Sequence, residues 1–445
     1  MHTYAVRIVL SIHSRSCIFP VINRKPGVLM ARYAPKGCIR RPHASGTPLR
    51  PFRLPHRRKR AISRAMNEPL HPALLPLGLR DLLPPDAAAE ALAVGRMMAV
   101  LESHGYQRVK PPLVEFEESL LSGPGAAMAS ETFRLMDPVS HRMIGLRADM
   151  TPQVARIAAT RLKNAARPLR LSYAGQVLRI KGGQLRPERQ IGQVGAELIG
   201  ADGAAADVEA IAVAAEALAG LGIEGLSVDL TLPRLVPAIC DGLGIAARQG
   251  EAIRAALDHK DAAKLRDSGG AAASLLGTLL AAAGPAAKAL AALAPLALPP
   301  AAAAERARLG EIVALLATIA PDLKITVDPV ENRGFEYHTG ISFSFFARAG
   351  RAELGRGGRY IAGNGKPEPA TGFTLYTDTV LGVVPVPTPP RRLYLPAGVA
   401  LAAGRKLRQE GWVTIAGLAA EPDISAAAKR LDCGHALIDG KIVAL

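Results

Sequence analysis

Residues 173–200 read YAGQVLRIKGGQLRPERQIGQVGAELIG. A strand-like run ends in Arg179, a basic Gly-rich loop follows, and a second run offers Gln193 and Glu197 four residues apart. A free amino acid presents a carboxylate that needs a cation and an ammonium that needs acidic or carbonyl partners. Arginine, amide and carboxylate side chains on two neighbouring runs are the materials for a pocket that holds such a molecule. Whether the pocket does chemistry or only senses depends on what else reaches it.

The elements that must position these residues follow from periodicity. Over residues 86–104 an apolar face recurs at helical spacing, with Asp86 placed as the N-cap and Gly105 beyond the end. Residues 106–116, YQRVKPPLVEF, read as extended because Pro111 and Pro112 forbid helix. Residues 133–136 and 141–146 flank DPVS, a turn signature, and predict a hairpin. The helical period returns in TPQVARIAATRLKN, residues 151–164, with Thr151 as its cap and Pro152 in its first turn. Residues 168–180 and 189–199 form a second antiparallel pair. Helices flanking consecutive hairpins predict an α+β unit on an antiparallel sheet, and no G-x-G-x-x-G or P-loop contradicts this.

Residues 243–320 are strongly Ala-rich and read as a helical insertion. Residues 269–287 carry no charge, yet their Ala and Gly content and the prolines at 285, 295, 299 and 300 favour a soluble helical module over a membrane span. The strand pattern resumes in ITVDPV (325–330), HTGISFSFFAR (338–348) and AELGRGGRY (352–360). From Arg391 onward, RRLYLPA, WVTIAG and HALIDGKIVAL alternate with the helical stretches VALAAGRKLRQEG and DISAAAKRL, a small α/β domain over 391–445.

The formal charge of +17 would ordinarily point to a polyanion partner. Residues 1–65, however, hold fifteen Lys or Arg and no Asp or Glu, which leaves the rest of the chain nearly balanced. That first segment is proline-rich and lacks a sustained apolar period. It reads as a disordered extension or an over-long gene start, with a transit peptide and a nucleic-acid arm as rival readings; ordinary globular composition begins at Met66. The cysteines at 17, 38, 240 and 433 include no C-x-x-C pair and fit neither a disulfide framework nor a zinc site.

In order and approximate spacing, GLRDLLPP (78–85), LRADMT (146–151), LRIKGG (178–183), RQIGQVGAELIG (189–200), NRGFEYHTG (332–340) and GRGGRY (355–360) resemble histidyl-tRNA synthetases over residues 66–385. The resemblance implies a class II synthetase-like fold, an antiparallel sheet flanked by helices. It also implies a dimer through the first motif, here the helix from Asp86 and the segment to Glu115. It further implies a histidine pocket with Asp149, Thr151 and Gln193 near the ammonium and backbone end and Arg179 at the carboxylate. Glu197 and Tyr337 would surround the imidazole, and Arg333 would lie over the site. His338 stands where these synthetases usually carry a second tyrosine, which leaves histidine selectivity open.

Adenylation needs a grip on the charges of ATP through the transition state. Against the synthetase pattern, Lys181 replaces the acid two residues beyond Arg179. Pro187 takes a basic loop position, with Arg186 and Arg189 beside it. In TGFTLYTDTV (371–380), Thr379 stands where an arginine is expected to hold the triphosphate. A neutral hydroxyl cannot do that arginine's electrostatic work. The pocket is therefore expected to sense, with no catalytic residue, metal or cofactor.

This pattern is most similar to the synthetase-like regulatory subunits of ATP phosphoribosyltransferase, the first enzyme of histidine biosynthesis. That resemblance implies a non-catalytic cytoplasmic chain in a hetero-oligomer with the short-form catalytic subunit, needed for its activity and for feedback by histidine. Residues 391–445 resemble a truncated anticodon-binding domain, too small and insufficiently basic to grip tRNA. The alternatives are an active histidyl-tRNA synthetase and a free-standing synthetase paralogue acting on another amino acid or acceptor.

Overall fold

The computed structural model describes residues 73–183, 187–331, 337–348, 352–363, 367–385 and 388–445. The expectations for residues 1–65, Arg186 and Arg333 fall outside the described residues.

The described chain begins its regular structure with helix α1 (Asp86–Ser103) and strand β1 (Gln107–Arg108). Strands β2 (Val114–Phe116), β3 (Arg134–Met136) and β4 (Met143–Leu146) form a small antiparallel sheet with β4 in the middle. Helix α2 (Thr151–Thr160) precedes the long strands β5 (Leu169–Leu178) and β6 (Gln190–Ile199). Then come α3 (Ala204–Ala219), β7 (Ser227–Thr231) and α4 (Leu235–Gly242). The Ala-rich region folds as α5 (Ala247–Asp258), α6 (Ala262–Gly269), α7 (Ala273–Ala281), the two-residue β8 (Gly284–Pro285), α8 (Ala286–Leu293) and α9 (Pro300–Ile319). Strands β9 (Lys324–Asp328), β10 (His338–Phe346), β11 (Gly355–Ala362) and β12 (Glu368–Tyr376) follow, and β12 runs straight into the short helix α10 (Thr377–Leu381).

Nine of these strands make one sheet in the order β1-β5-β6-β12-β11-β10-β7-β9-β8. Its centre is antiparallel, as the sequence predicts, but β1 lies parallel to β5 and β7 parallel to β9. The long helical connection between β7 and β9 returns the chain in the same direction, which a tight hairpin cannot do.

Side chains alternate between the faces of each strand. Val194 and Ala196 of β6 and Phe373 and Leu375 of β12 share one core with Met97 and Leu101 of α1 and with Ile211 of α3. Leu276, Leu309 and Leu316 join that same core, so the Ala-rich helices pack into it instead of standing apart. On the opposite face Ile191, Ile199, Tyr360 and Tyr376 meet Met150, Val154 and Ala158 in a second cluster. Gln193 and Glu197 are in phase with this second face.

Two capping expectations fail. Asp86 is the first helical residue after Pro85 and makes no side-chain cap. Thr151 likewise opens α2 after Met150, and its hydroxyl donates to Glu197 at 2.9 Å, so a buried partner outcompetes the local cap. The helix also stops at Thr160, short of residue 164; the chain closes with Leu162 N bonding to Ile157 O at 3.0 Å.

The last part of the chain holds β13 (Arg392–Leu395), α11 (Leu401–Gln409), β14 (Val413–Ala416), α12 (Ile424–Arg430), β15 (His435–Ile438) and β16 (Lys441–Ala444). They form a separate sheet in the order β14-β13-β15-β16 over a small cluster of Tyr394, Ala427, Ala428, Cys433 and Ala436. Cys240 and Cys433 are both buried free thiols. Among the described residues no helix is long and apolar enough to cross a membrane.

Candidate functional site

The second face of the large sheet carries a recess. Asp149 and Thr151 border it from the start of α2, Glu197 from β6, and Tyr337 and His338 from the start of β10. Arg356 and Tyr360 of β11 and Thr374 and Tyr376 of β12 complete its polar lining. The strand register explains this convergence: Glu197 lies opposite Gly372, and Gly372 opposite Gly358. A Cβ at Gly372 would collide with the Glu197 carboxylate and the Ala196 carbonyl, so the sheet needs glycine there to seat the acid.

Glu197 is fully buried and gathers three hydroxyl donors. Thr151 Oγ1 donates to its Oε1 at 2.9 Å, Tyr173 Oη to the same oxygen at 3.2 Å, and Tyr360 Oη to Oε2 at 2.9 Å. Tyr173 is in turn tied to Thr374 Oγ1 at 2.8 Å. Burial pushes the Glu197 carboxyl up to about 8, with the hydroxyl donors opposing that shift and the Asp149 charge adding to it.

Asp149 is fixed by its neighbours. Its carboxylate accepts from Thr151 N at 2.8 Å and from Gln193 Nε2 at 3.0 Å, while Gln193 Oε1 accepts from Met150 N at 3.1 Å. Gln193 thus holds the 149–151 turn and does not itself line the recess.

Of the residues expected at the site, the fold brings Asp149, Thr151, Glu197 and Tyr337 together around the recess, with Gln193 directly behind Asp149. Arg179 is not among the residues lining it. Its Nε donates to Ala148 O at 3.4 Å and lies 3.4 Å from Glu131 Oε2, behind the turn that carries Asp149.

Four polar side chains lining the recess escaped the sequence reading, Arg356, Tyr360, Thr374 and Tyr376, as did Tyr173, which bonds Glu197 from behind. The signal for Arg356 was present. GRGGRY is a strand, and period-two alternation puts Arg356, Gly358 and Tyr360 on one face. Arg356 donates through Nε and Nη2 to the Glu353 carboxylate at 2.6–3.2 Å, and Ser344 Oγ donates to Glu353 Oε1 at 2.6 Å. Nearby Tyr376 and then Glu353 hold the guanidinium above its ordinary range. Burial, and secondarily Arg356, push the His338 imidazole down to about 4, so His338 is neutral near pH 7.

The positions expected to grip a nucleotide are disposed differently. Thr379, on α10, donates its hydroxyl to Glu353 O at 2.9 Å and to Tyr376 O at 3.2 Å. Arg189 donates to Arg179 O and to Leu77 O, each at 3.2 Å, and stacks over Phe133 at 5.1 Å. Lys181 and Pro187 are exposed.

Comparison with known proteins follows this geometry. The family model for histidyl-tRNA synthetase matches residues 78–380. The chain is 58% identical over 378 residues to the ATP phosphoribosyltransferase regulatory subunit of Rhodospirillum centenum, covering 84% of this chain and 98% of that protein. It is 60% identical over 372 residues to the regulatory subunit of Paramagnetospirillum magneticum, with the same coverage, 84% and 98%. A solved ATP phosphoribosyltransferase regulatory subunit/histidyl-tRNA synthetase from Bacillus halodurans is similar in fold, with a TM-score of 0.70 at 24% identity, covering 82% of this chain and 97% of that one.

Proposed function

This chain belongs to the ATP phosphoribosyltransferase regulatory subunits, a non-catalytic, histidyl-tRNA synthetase-like family, and from that premise we propose that its recess reads free histidine on behalf of a short-form catalytic partner. In this reading the imidazole lies between Glu197 and Tyr337, and the ammonium faces Asp149 and Thr151. Gln193 positions Asp149, and Arg179 steadies the same turn from behind. Histidine held here lowers the partner's phosphoribosyl transfer, and the partner needs this chain to be active.

The observation that carries the reading is the contrast between two sites joined by β12. A buried acid with three hydroxyl donors borders an open recess, while Thr379, at the triphosphate position, is bonded into its own backbone. An amino-acid pocket without a nucleotide grip fits a sensor. Self-association through α1 and the segment to Glu115 belongs to the same proposal. Leu92 of α1 and Val114, Phe116, Leu135 and Met136 of the small sheet are exposed apolar side chains that a second copy would cover. The assembly is placed in the cytoplasm, and no tRNA is expected to bind.

The test is calorimetric titration of the purified chain with histidine, alone and with the short catalytic subunit, together with phosphoribosyl transfer at rising histidine. Binding to this chain and inhibition of the complex are expected. Absence of histidine binding in both settings overturns the ligand, and histidine-dependent ATP–pyrophosphate exchange above a no-enzyme control overturns the sensor.

A further inference from the structure

We propose that Arg356 of β11 is the cation that receives the carboxylate of the recess's ligand, so that the site selects an intact amino acid over the corresponding amine or alcohol. The inference rests on the amino-acid reading above and assigns the one group of the ligand that the expected residues leave poorly served.

Arg356 lines the recess and Arg179 does not. Among the described residues that line it, Arg356 is the cationic one, since His338 is held neutral. Its place along the strand suits the task. Glu197 lies level with Gly372 and Gly358, and Arg356 lies level with Thr374, two residues further along β11 on the same face. Two strand residues advance the chain by about 7 Å. That step, together with the crossing from β6 over β12 to β11, separates a side-chain partner at Glu197 from a carboxylate partner at Arg356, and the floor between them is made by Gly372, Thr374 and Gly358. A Cβ at Gly358 would run into the His338 ring, so the floor stays low at that point.

The Arg356 guanidinium is also preorganised. Glu353 grips it along the Nε and Nη2 edge, and Ser344 fixes Glu353. A guanidinium is a rigid planar fork, so a grip on one edge fixes the plane of the whole cation. Asp149, Glu197 and Arg356 then present acid, hydroxyl-bound acid and cation around one cavity. That is the complement of an ammonium, a polar ring and a carboxylate.

The experiment compares L-histidine with L-histidinol, which keeps the ring and ammonium and lacks the carboxylate. Calorimetry is run on the full chain and on Arg356→Gln, Arg179→Gln and the double change Glu353→Gln/Arg356→Gln; the double change avoids stranding a buried carboxylate. The unaltered chain is expected to bind histidine at least about tenfold more tightly than histidinol, the scale of a charge-assisted hydrogen bond. Both Arg356 variants are expected to bring that ratio near one by weakening histidine alone, whereas Arg179→Gln shifts both ligands together and keeps the ratio. A ratio preserved without Arg356, or lost in Arg179→Gln, overturns the assignment, and the Arg179 arm gives this answer even if the Arg356 variants misfold. If the unaltered chain binds histidinol as well as histidine, the carboxylate has no partner here and the inference fails while the pocket stands. If it binds neither, the histidine reading itself has failed.

Discussion

Around Glu197, hydroxyls from α2, β5 and β11 converge on one carboxylate beside an open recess; around Thr379, a single hydroxyl turns back onto two carbonyls of its own chain. The two sites share a strand, because β12 supplies Gly372 beneath Glu197 and then leads into α10 and Thr379. What separates them is the origin of their partners. Polar groups that finish the fold's own hydrogen bonds have no reason to meet a ligand, whereas acids gathered from distant elements at a cavity are held ready for one. The neighbouring Arg189 follows the Thr379 pattern, with both of its hydrogen bonds going to backbone carbonyls.

The largest expected effect comes from filling the space that seats Glu197. Gly372→Ala places a methyl against the carboxylate and the Ala196 carbonyl in the middle of the sheet. A loss of about 1–3 kcal/mol in denaturant unfolding is expected, the scale of core overpacking, together with loss of histidine binding. Unchanged stability and binding would mean that the acid is not fixed by this register.

Glu197→Gln sharpens the comparison through ligand binding and pH. Histidine affinity is expected to fall by about 1–3 kcal/mol, because the amide cannot reproduce the carboxyl's hydrogen bonds to both the surrounding hydroxyls and the imidazole. The pH effect has a definite sign. In the folded chain Glu197 keeps its proton up to about 8, against an ordinary value of 4.5, so within that window the folded state binds more protons and stability falls as pH rises. His338 acts oppositely: its imidazole is pushed from 6.5 down to about 4, so its stabilising contribution is full above 6.5 and is lost as pH falls towards 4. Of this pair, Glu197 alone titrates between pH 6.5 and 8. The melting temperature of the unaltered chain is expected to decline across that interval, and that of Glu197→Gln to stay flatter. Parallel curves would remove Glu197 as the titrating group.

A smaller effect is expected at the other site. Thr379→Val removes a hydroxyl that serves only two backbone carbonyls, so about 0.5–1.5 kcal/mol of stability should go while inhibition by histidine stays the same. A changed inhibition constant would show that the two regions are coupled through β12.

Much of this contrast was legible in the sequence, and the reasons are specific. Long strands with period-two alternation give themselves away, and so Gln193 and Glu197 could be set on one face. Lys181 and Thr379 stood out by their chemistry. The Ala-rich stretch was readable as helix but not as five helices with a two-residue strand between them, because alanine fits core and surface alike and carries little periodic signal. Thr151 was misread as a cap because its partner, Glu197, is 46 residues away in sequence. Arg356 lay in a run read as strand, but its alternation with Gly358 and Tyr360 was not turned into a site assignment, and Arg179 was expected at the carboxylate although the fold turns it towards Ala148 and Glu131.

The smallest expected effect is no effect. Lys181→Glu combined with Thr379→Arg restores both charges that the synthetase pattern calls for, and ATP–pyrophosphate exchange is still expected to stay at background. An arginine at 379 must first give up the bonds to Glu353 O and Tyr376 O that anchor the start of α10. It would then emerge beside the Glu353–Arg356 pair and Tyr376, in a region whose polar groups are already arranged around one another. Arg189 would still be bound to Arg179 O and Leu77 O, so its guanidinium would stay committed to the fold's own carbonyls. Transition-state binding depends on groups held in place before the reaction, and two restored charges do not supply that order. Exchange recovered by these two changes alone would show that the nucleotide site is intact apart from its charges, and the contrast with the Glu197 recess would then reduce to two residues.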